Sequence, residues 1–222
     1  MKRIRSLLLQ LILLCLLLQS CKKDKDETPP PPDPIAVYKF DDDWATNSVS
    51  SFLHGQVVDN IYSALDSFLV PFRCFQFKAD GYVRVKDSDL IDFPNNQFTL
   101  AAWIKPTKAQ HTYVITKNED ANYDSPYSLD IHPGVVRAFI RTNTDEQFLI
   151  EGKTPIIQGA WQHIAAIFTG ETLIIYYNGT KEGSIAVDRP LAVTKGDMGI
   201  CAYIDYYSSA ALQGSIDNVK IF

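Results

Sequence analysis

Between Ile35 and Phe222 the chain repeatedly alternates apolar and polar residues in short runs rich in Val, Ile, Tyr, Phe and Thr, each bounded by Gly, Pro, Asn or Asp. That period of two is the signature of strands with one buried face. It predicts strands over residues 35–40, 72–77, 82–86, 98–106, 113–117, 127–131, 135–141, 162–169, 172–178, 183–187, 198–203 and 215–222. No segment competes as a helix. Tyr177-Asn178-Gly179-Thr180 lies between two of these runs. Asn and Gly both tolerate the positive φ of a type I′ turn, so a hairpin is expected there. About a dozen strands in one domain over residues 35–222 exceed a small barrel and suit an all-β, two-sheet antiparallel jelly roll sandwich.

The first residues follow a different pattern. A cationic stub, MKRIR, precedes an apolar run from Leu7 to Leu18 broken only by Gln10, and Gln19-Ser20-Cys21 follows. This reads as a signal peptide over residues 1–20; the run is too short for a membrane-spanning helix, which needs about 20 residues. Leu18-Gln19-Ser20-Cys21 resembles the bacterial lipoprotein box. The resemblance implies cleavage before Cys21, a diacylglycerol thioether on its sulfur and a membrane contact made through acyl chains. An ordinary secretory signal with an incidental cysteine is the alternative. Residues 21–34 then read CKKDKDETPPPPDP, a charged and proline-rich tether that cannot bury a core. The expected location is a bacterial cell envelope, on the outer membrane, facing the periplasm or the surface.

Charge narrows the partners. Without Lys2, Arg3 and Arg5 the chain carries 18 Lys and Arg against 26 Asp and Glu. An acidic body with no basic stripe releases few phosphate counterions, so no nucleic-acid partner is expected. Cys74 and Cys201 remain once Cys15 leaves with the signal and Cys21 is lipidated. One bridge or two buried thiols both fit the count.

Eight stretches occur in order and together span nearly all of residues 35–222: VYKFDDD, FRCFQFKADGYVRV, FTLAAWIKPT, YVITK, YSLDI, GAWQHIAAIF, LIIYYNGTKEG and LQGSIDNVKIF. Together they resemble the concanavalin A-like lectin/glucanase superfamily, specifically its bacterial laminin-G-like jelly rolls. The resemblance implies a fold that hosts glycan hydrolysis, glycan binding or protein–protein adhesion. Hydrolytic members carry Glu-x-Asp-x-x-Glu, with alternate residues on one strand projecting two carboxyls to one face. That arrangement is absent: Glu27, Glu119, Glu146, Glu151, Glu171 and Glu182 include no pair on one strand face, and Asp87 and Asp89 read as solvated loop acids. His54, His111, His132 and His163 lack metal-ligand spacing, and neither a Gly-x-Ser-x-Gly nor a Cys-x-x-Cys occurs. The expectation is a non-enzyme.

Glycan binding has better candidates, because aromatic rings stack on the C–H faces of sugars. Trp44 stands in the polar stretch DDDWATNS without apolar periodicity. Tyr123, Tyr206 and Tyr207 lie in loops that mix tyrosine with acids and amides, and these four are the expected ligand contacts. Trp103 and Trp161 belong to alternating strands and are expected in the core, as are Tyr127 and Tyr203 at strand ends. The resemblance also implies a structural calcium ion between Asp41, heading the run Asp41 to Asp43, and Asp217 of Gly214-Ser215-Ile216-Asp217. A solvated turn and an Asp217 that accepts backbone hydrogen bonds account for the same residues. Asn47 stands where the family often has an acid. The leading expectation is thus an envelope-anchored, lectin-like lipoprotein that captures a polysaccharide. A protein–protein adhesion domain is the alternative, and a glycosidase the distant one.

Overall fold

The computed structural model describes residues 32–71, 73–78, 81–118, 125–204 and 210–222. Asp33–Phe222 forms one compact unit that holds every strand of the described residues. The strands are β1 (Ala36–Tyr38), β2 (Gly55–Val58), β3 (Ile61–Ala64), β4 (Cys74–Phe77), β5 (Tyr82–Val85), β6 (Phe98–Pro106), β7 (Thr112–Lys117) and β8 (Tyr127–Ile131). They continue with β9 (Val135–Arg141), β10 (Gln147–Pro155), β11 (Gln162–Phe168), β12 (Thr172–Tyr177), β13 (Thr180–Ala186), β14 (Met198–Ile200) and β15 (Gly214–Ile221). An eight-stranded sheet runs β13-β12-β11-β6-β15-β4-β3, with β1 also bonded to β15. A seven-stranded sheet runs β10-β9-β8-β7-β14-β5-β2. The strand pairs within both are antiparallel, giving the expected all-β, two-sheet sandwich.

Alternation builds the core. On β6, Phe98, Leu100, Ala102 and Ile104 are buried; across it Ile164, Ala166 and Phe168 of β11 and Ile216 of β15 share their side. Leu129, Ile131, Val136, Ala138 and Ile140 supply the facing layer from β8 and β9. Rings fill the gaps: Phe40 stacks on Phe75 at 4.5 Å, and Phe93, Phe98 and Tyr127 pack within 5.0 to 5.4 Å of one another. Tyr127 is fully buried and its hydroxyl donates to the Ile91 carbonyl at 2.9 Å. The β12–β13 hairpin turns through Asn178 (φ 47°) and Gly179 (φ 77°), as its sequence requires.

Several expectations shift. Strands β2, β3 and β10 were not predicted: the first two are four residues each, and β10 is an edge strand carrying only half-buried apolar residues on its inner side. The strand expected over 198–203 ends at Ile200 because Cys201 takes a φ of 71°. Asp87 is no solvated acid. Together with Asp92 on a single 3-10 turn (Asp89–Asp92) it accepts from the fully buried Lys117 Nζ, at 2.7 and 2.5 Å. Asp89 is exposed as expected. Trp103 is not a core residue. It shares parity with Thr99 and Lys105, and so faces outward, 36% exposed, with its ring edge-on to His163 across the β6–β11 pair. Trp161 is half-buried. Cys74 and Cys201 are both buried free thiols, and burial pushes the Cys74 thiol up to about 11.

Candidate functional site

On the seven-stranded sheet, residues that point away from the core line up across neighbouring strands. Register places Tyr113 (β7), Asp130 (β8), Arg137 (β9) and Glu151 (β10) in one transverse row. The residues flanking Arg137, Val136 and Ala138, are core, so the row stands on the outer face. Asp130 is fully buried even so, because Arg137 closes over it: Nε donates to Oδ1 at 2.7 Å and Nη2 to Oδ2 at 2.9 Å. The Ser128 hydroxyl adds a third bond to Asp130 Oδ2 at 3.0 Å. Burial acts to lower the Arg137 pKa, but the hydrogen bond and charge of Asp130 outweigh it and raise the pKa.

Imidazoles frame this pair. Arg137 Nη2 also donates to His111 Nε2 at 3.1 Å, a contact that needs a neutral ring. Burial holds His111 below the ordinary imidazole range, against the opposing pull of Asp130. His132, on the β8–β9 turn, meets the His111 ring edge-on at 4.9 Å and places Nδ1 3.1 Å from Glu151 Oε1. His111 lies 4.8 Å from the Tyr113 ring, which in turn packs 5.3 Å from Tyr203. Tyr203 belongs to the segment 201–204, which crosses the sheet where β14 has Gly199. A Cβ there would come within 2.3 Å of the Ala202 carbonyl oxygen, so only glycine admits this wall.

A second row, less polar, runs beside the first: Leu149 (β10), Phe139 (β9), Ser128 (β8) and Thr116 (β7). Leu149 is 44% exposed and Phe139 half-buried. Two steps along a strand separate the rows by roughly 7 Å, so a guanidinium, two imidazoles and a carboxylate border an apolar strip at the scale of one sugar ring.

The expected contacts fare unevenly. Trp44 is 72% exposed, in a turn where Asp42 Oδ1 accepts its N–H at 3.1 Å and Asp43 accepts from Ser63 Oγ at 3.2 Å. Tyr123, Tyr206, Tyr207 and the lipidation candidate Cys21 lie outside the described residues. Tyr127 and Tyr203 are packed, as expected. Asp217 is 4% exposed, facing outward from β15. Burial first, then Asp66 and Asp41, push its acid up to about 6, and the Asn218 amides oppose this. Asp41 pairs loosely with Arg73 at 3.9 Å, and Asp66 Oδ1 accepts the Phe68 and Val70 N–H groups at 2.8 Å each. Among the described residues no group of three or more acid, histidine or cysteine side chains is arranged to hold a metal ion. Glu182, also weighed as a catalytic acid, accepts from the Lys153 and Thr154 N–H groups and the Thr154 hydroxyl. These bonds hold it below the usual carboxylate range.

The His111–Arg137–Glu151 cluster escaped the sequence reading because its members are brought together by cross-strand register. The available signal was a charge of each sign, Asp130 and Arg137, at outward positions of two largely apolar strands joined by a short His132-Pro133-Gly134 turn.

The fold has solved counterparts. Domain 4 of AbnA, a GH43 extracellular arabinanase from Geobacillus stearothermophilus solved with arabinotriose, is similar with a TM-score of 0.66 at 19% identity, covering 85% of this chain and 91% of that domain. The binding domain of Paraclostridial Mosquitocidal Protein 1 gives 0.63 at 11% identity over 84% of this chain, and that of botulinum neurotoxin serotype G gives 0.64 at 10% over 86%. This chain spans about half the length of those two toxin domains. At these identities the likeness is one of fold. No curated protein matches the sequence. Residues 77–222, well over half of the chain, match the family description directly, and the chain belongs to the concanavalin A-like lectin/glucanases superfamily.

Proposed function

We propose that this protein is a non-catalytic, glycan-binding lipoprotein of a bacterial envelope, held by lipid at Cys21 and presenting the outer face of its seven-stranded sheet to a polysaccharide. One observation carries the reading: the polar row of Tyr113, Asp130, Arg137 and Glu151, joined by His132 from the β8–β9 turn, lies beside the half-buried Phe139 and the exposed Leu149 at the β9–β10 end of the outer sheet face. Sugars present hydroxyls at their edge and C–H groups on their face, and this pairing matches both. The arabinotriose bound by the arabinanase domain of the same fold is consistent with it. The proposal of no hydrolysis draws support from Asp130, whose two oxygens are occupied by Arg137 and Ser128, leaving Glu151 without an accessible carboxyl partner in its row.

A glycan array probed with the unit 33–222, which contains both sheets and the whole core, tests the reading. Binding that falls at least tenfold in His132→Ala and Phe139→Ala, with melting temperatures within a few degrees of wild type, supports it. An array that stays blank overturns it.

A second reading, protein–protein adhesion, is favoured by the loop after β3. Phe68 and Leu69 are 82% and 74% exposed at the tip of a turn fixed by Asp66, and Leu69 takes a φ of 64°. A pull-down from envelope extract that captures one protein, abolished by Phe68→Ser but not by His132→Ala, would select that reading.

A further inference from the structure

We propose that the outer face of the seven-stranded sheet selects uncharged polysaccharides and rejects uronate-rich or sulfated ones. The inference rests on the glycan-binding reading above and adds the ligand's charge class. Recognition of acidic sugars depends on cations free to meet carboxylate or sulfate, usually arginine forks.

Three arginines stand on this face, each committed to a carboxylate of the protein itself, and the exposed Lys86 and Lys153 stand only at its margins, after β5 and near the end of β10. Arg137 is bidentate to Asp130, Arg141 Nη1 lies 3.0 Å from Asp145, and Arg84 Nη1 lies 3.5 Å from Asp197. The Arg137 pair is the tightest, because Asp130 has no solvent contact and its charge is spent on that guanidinium. His111 accepts from Arg137 and so stands as a neutral ring. The one carboxylate of the row open to solvent is Glu151, whose side chain is 41% exposed. A uronate approaching Arg137 therefore meets Glu151 as a like charge. A hydroxyl instead donates to Glu151 and accepts from an imidazole N–H.

The long-range field points the same way. Residues 35–222 carry 15 Lys and Arg against 22 Asp and Glu, a net charge of −7. A polyanion is repelled before contact, whereas a neutral polymer is indifferent to that field.

Binding of the unit 33–222 to matched polymers tests the proposal, with the charge changed and the backbone kept. Fully methyl-esterified homogalacturonan is compared with its de-esterified form, beside neutral galactomannan and β-glucan and the anionic alginate and a sulfated galactan, at 50 and 300 mM NaCl. The expected result is binding confined to the uncharged polymers, changing less than about twofold between the two salt concentrations, because no counterions are released. Glu151→Gln is expected to raise affinity for the de-esterified polymer at least threefold. An anionic polymer bound by the wild type at 50 mM NaCl, weakened tenfold or more at 300 mM and lost in Arg137→Gln, overturns the charge class while leaving the glycan reading intact. If no polymer of either kind binds, the glycan reading itself fails and this inference with it.

Discussion

Replacing Asp217 with Asn is expected to stabilise the protein at neutral pH, although the residue is almost wholly buried. Its carboxyl faces outward on β15 opposite Trp103, and the acid is shifted from 3.8 to about 6 by burial and by the Asp66 and Asp41 charges. A raised pKa in the folded state means that folding favours the protonated form. This contribution is complete below about pH 4 and is lost as pH rises through 6; above that, the fold carries a buried negative charge. The gap between 3.8 and about 6 corresponds to at most about 3 kcal/mol. An isosteric Asn that keeps part of the bonding to Asn218 should recover about 1–2 kcal/mol, or several degrees in Tm for a domain of this size. Thermal unfolding from pH 4 to 8 in EDTA measures the effect. The two proteins should converge near pH 4 and the variant should lead above pH 6. A variant less stable than wild type at pH 8 in EDTA would refute the reasoning. Calcium held between Asp41 and Asp217 makes a separable forecast: added Ca²⁺, but not Mg²⁺, would raise the wild-type Tm at pH 8 and leave the variant unmoved.

Lys117→Met should cost about 3–5 kcal/mol in urea unfolding, because it strands Asp92 and Asp87 without their cation; a loss under 1 kcal/mol would show the ion pair to be dispensable. Gly214→Ala should fail to fold, since the new Cβ would lie 2.3 Å from the Lys105 carbonyl oxygen at a φ of 148°, and a soluble variant with wild-type Tm would contradict that. Trp44→Ala should leave the Tm within about 1 °C, given its exposure, while weakening glycan binding by about 1 kcal/mol if the indole stacks on sugar; equal affinity would remove Trp44 from the binding surface. Radiolabelled palmitate should enter the wild-type protein and not Cys21→Ser, and equal labelling would end the lipoprotein reading.

Strands with clean alternation were legible: on β6 and β9 every second residue is core, and size and polarity together fix which face is buried. The same alternation put Trp103 outside. Membership of an alternating strand argued for the core, but its place between Thr99 and Lys105 in the outward series was the stronger signal. The short strands β2 and β3 and the edge strand β10 were illegible because partners rather than composition create them. The polar cluster was hidden for a related reason. Asp130, Arg137 and Glu151 become neighbours only through the β8–β9 and β9–β10 registers, and a shift of one residue would turn them into the core. The exposure of Trp44 was legible because its isolation among polar residues is local information.

Strand β15 is the last in chain order among the described residues, yet it sits inside the eight-stranded sheet, bonded to β1, β4 and β6. During synthesis from the N-terminus, those three strands emerge long before the strand that joins them. Until β15 arrives, β6 has an open edge and β1 has no partner strand. The domain therefore cannot close progressively, and its final cooperative step awaits residues 214–221.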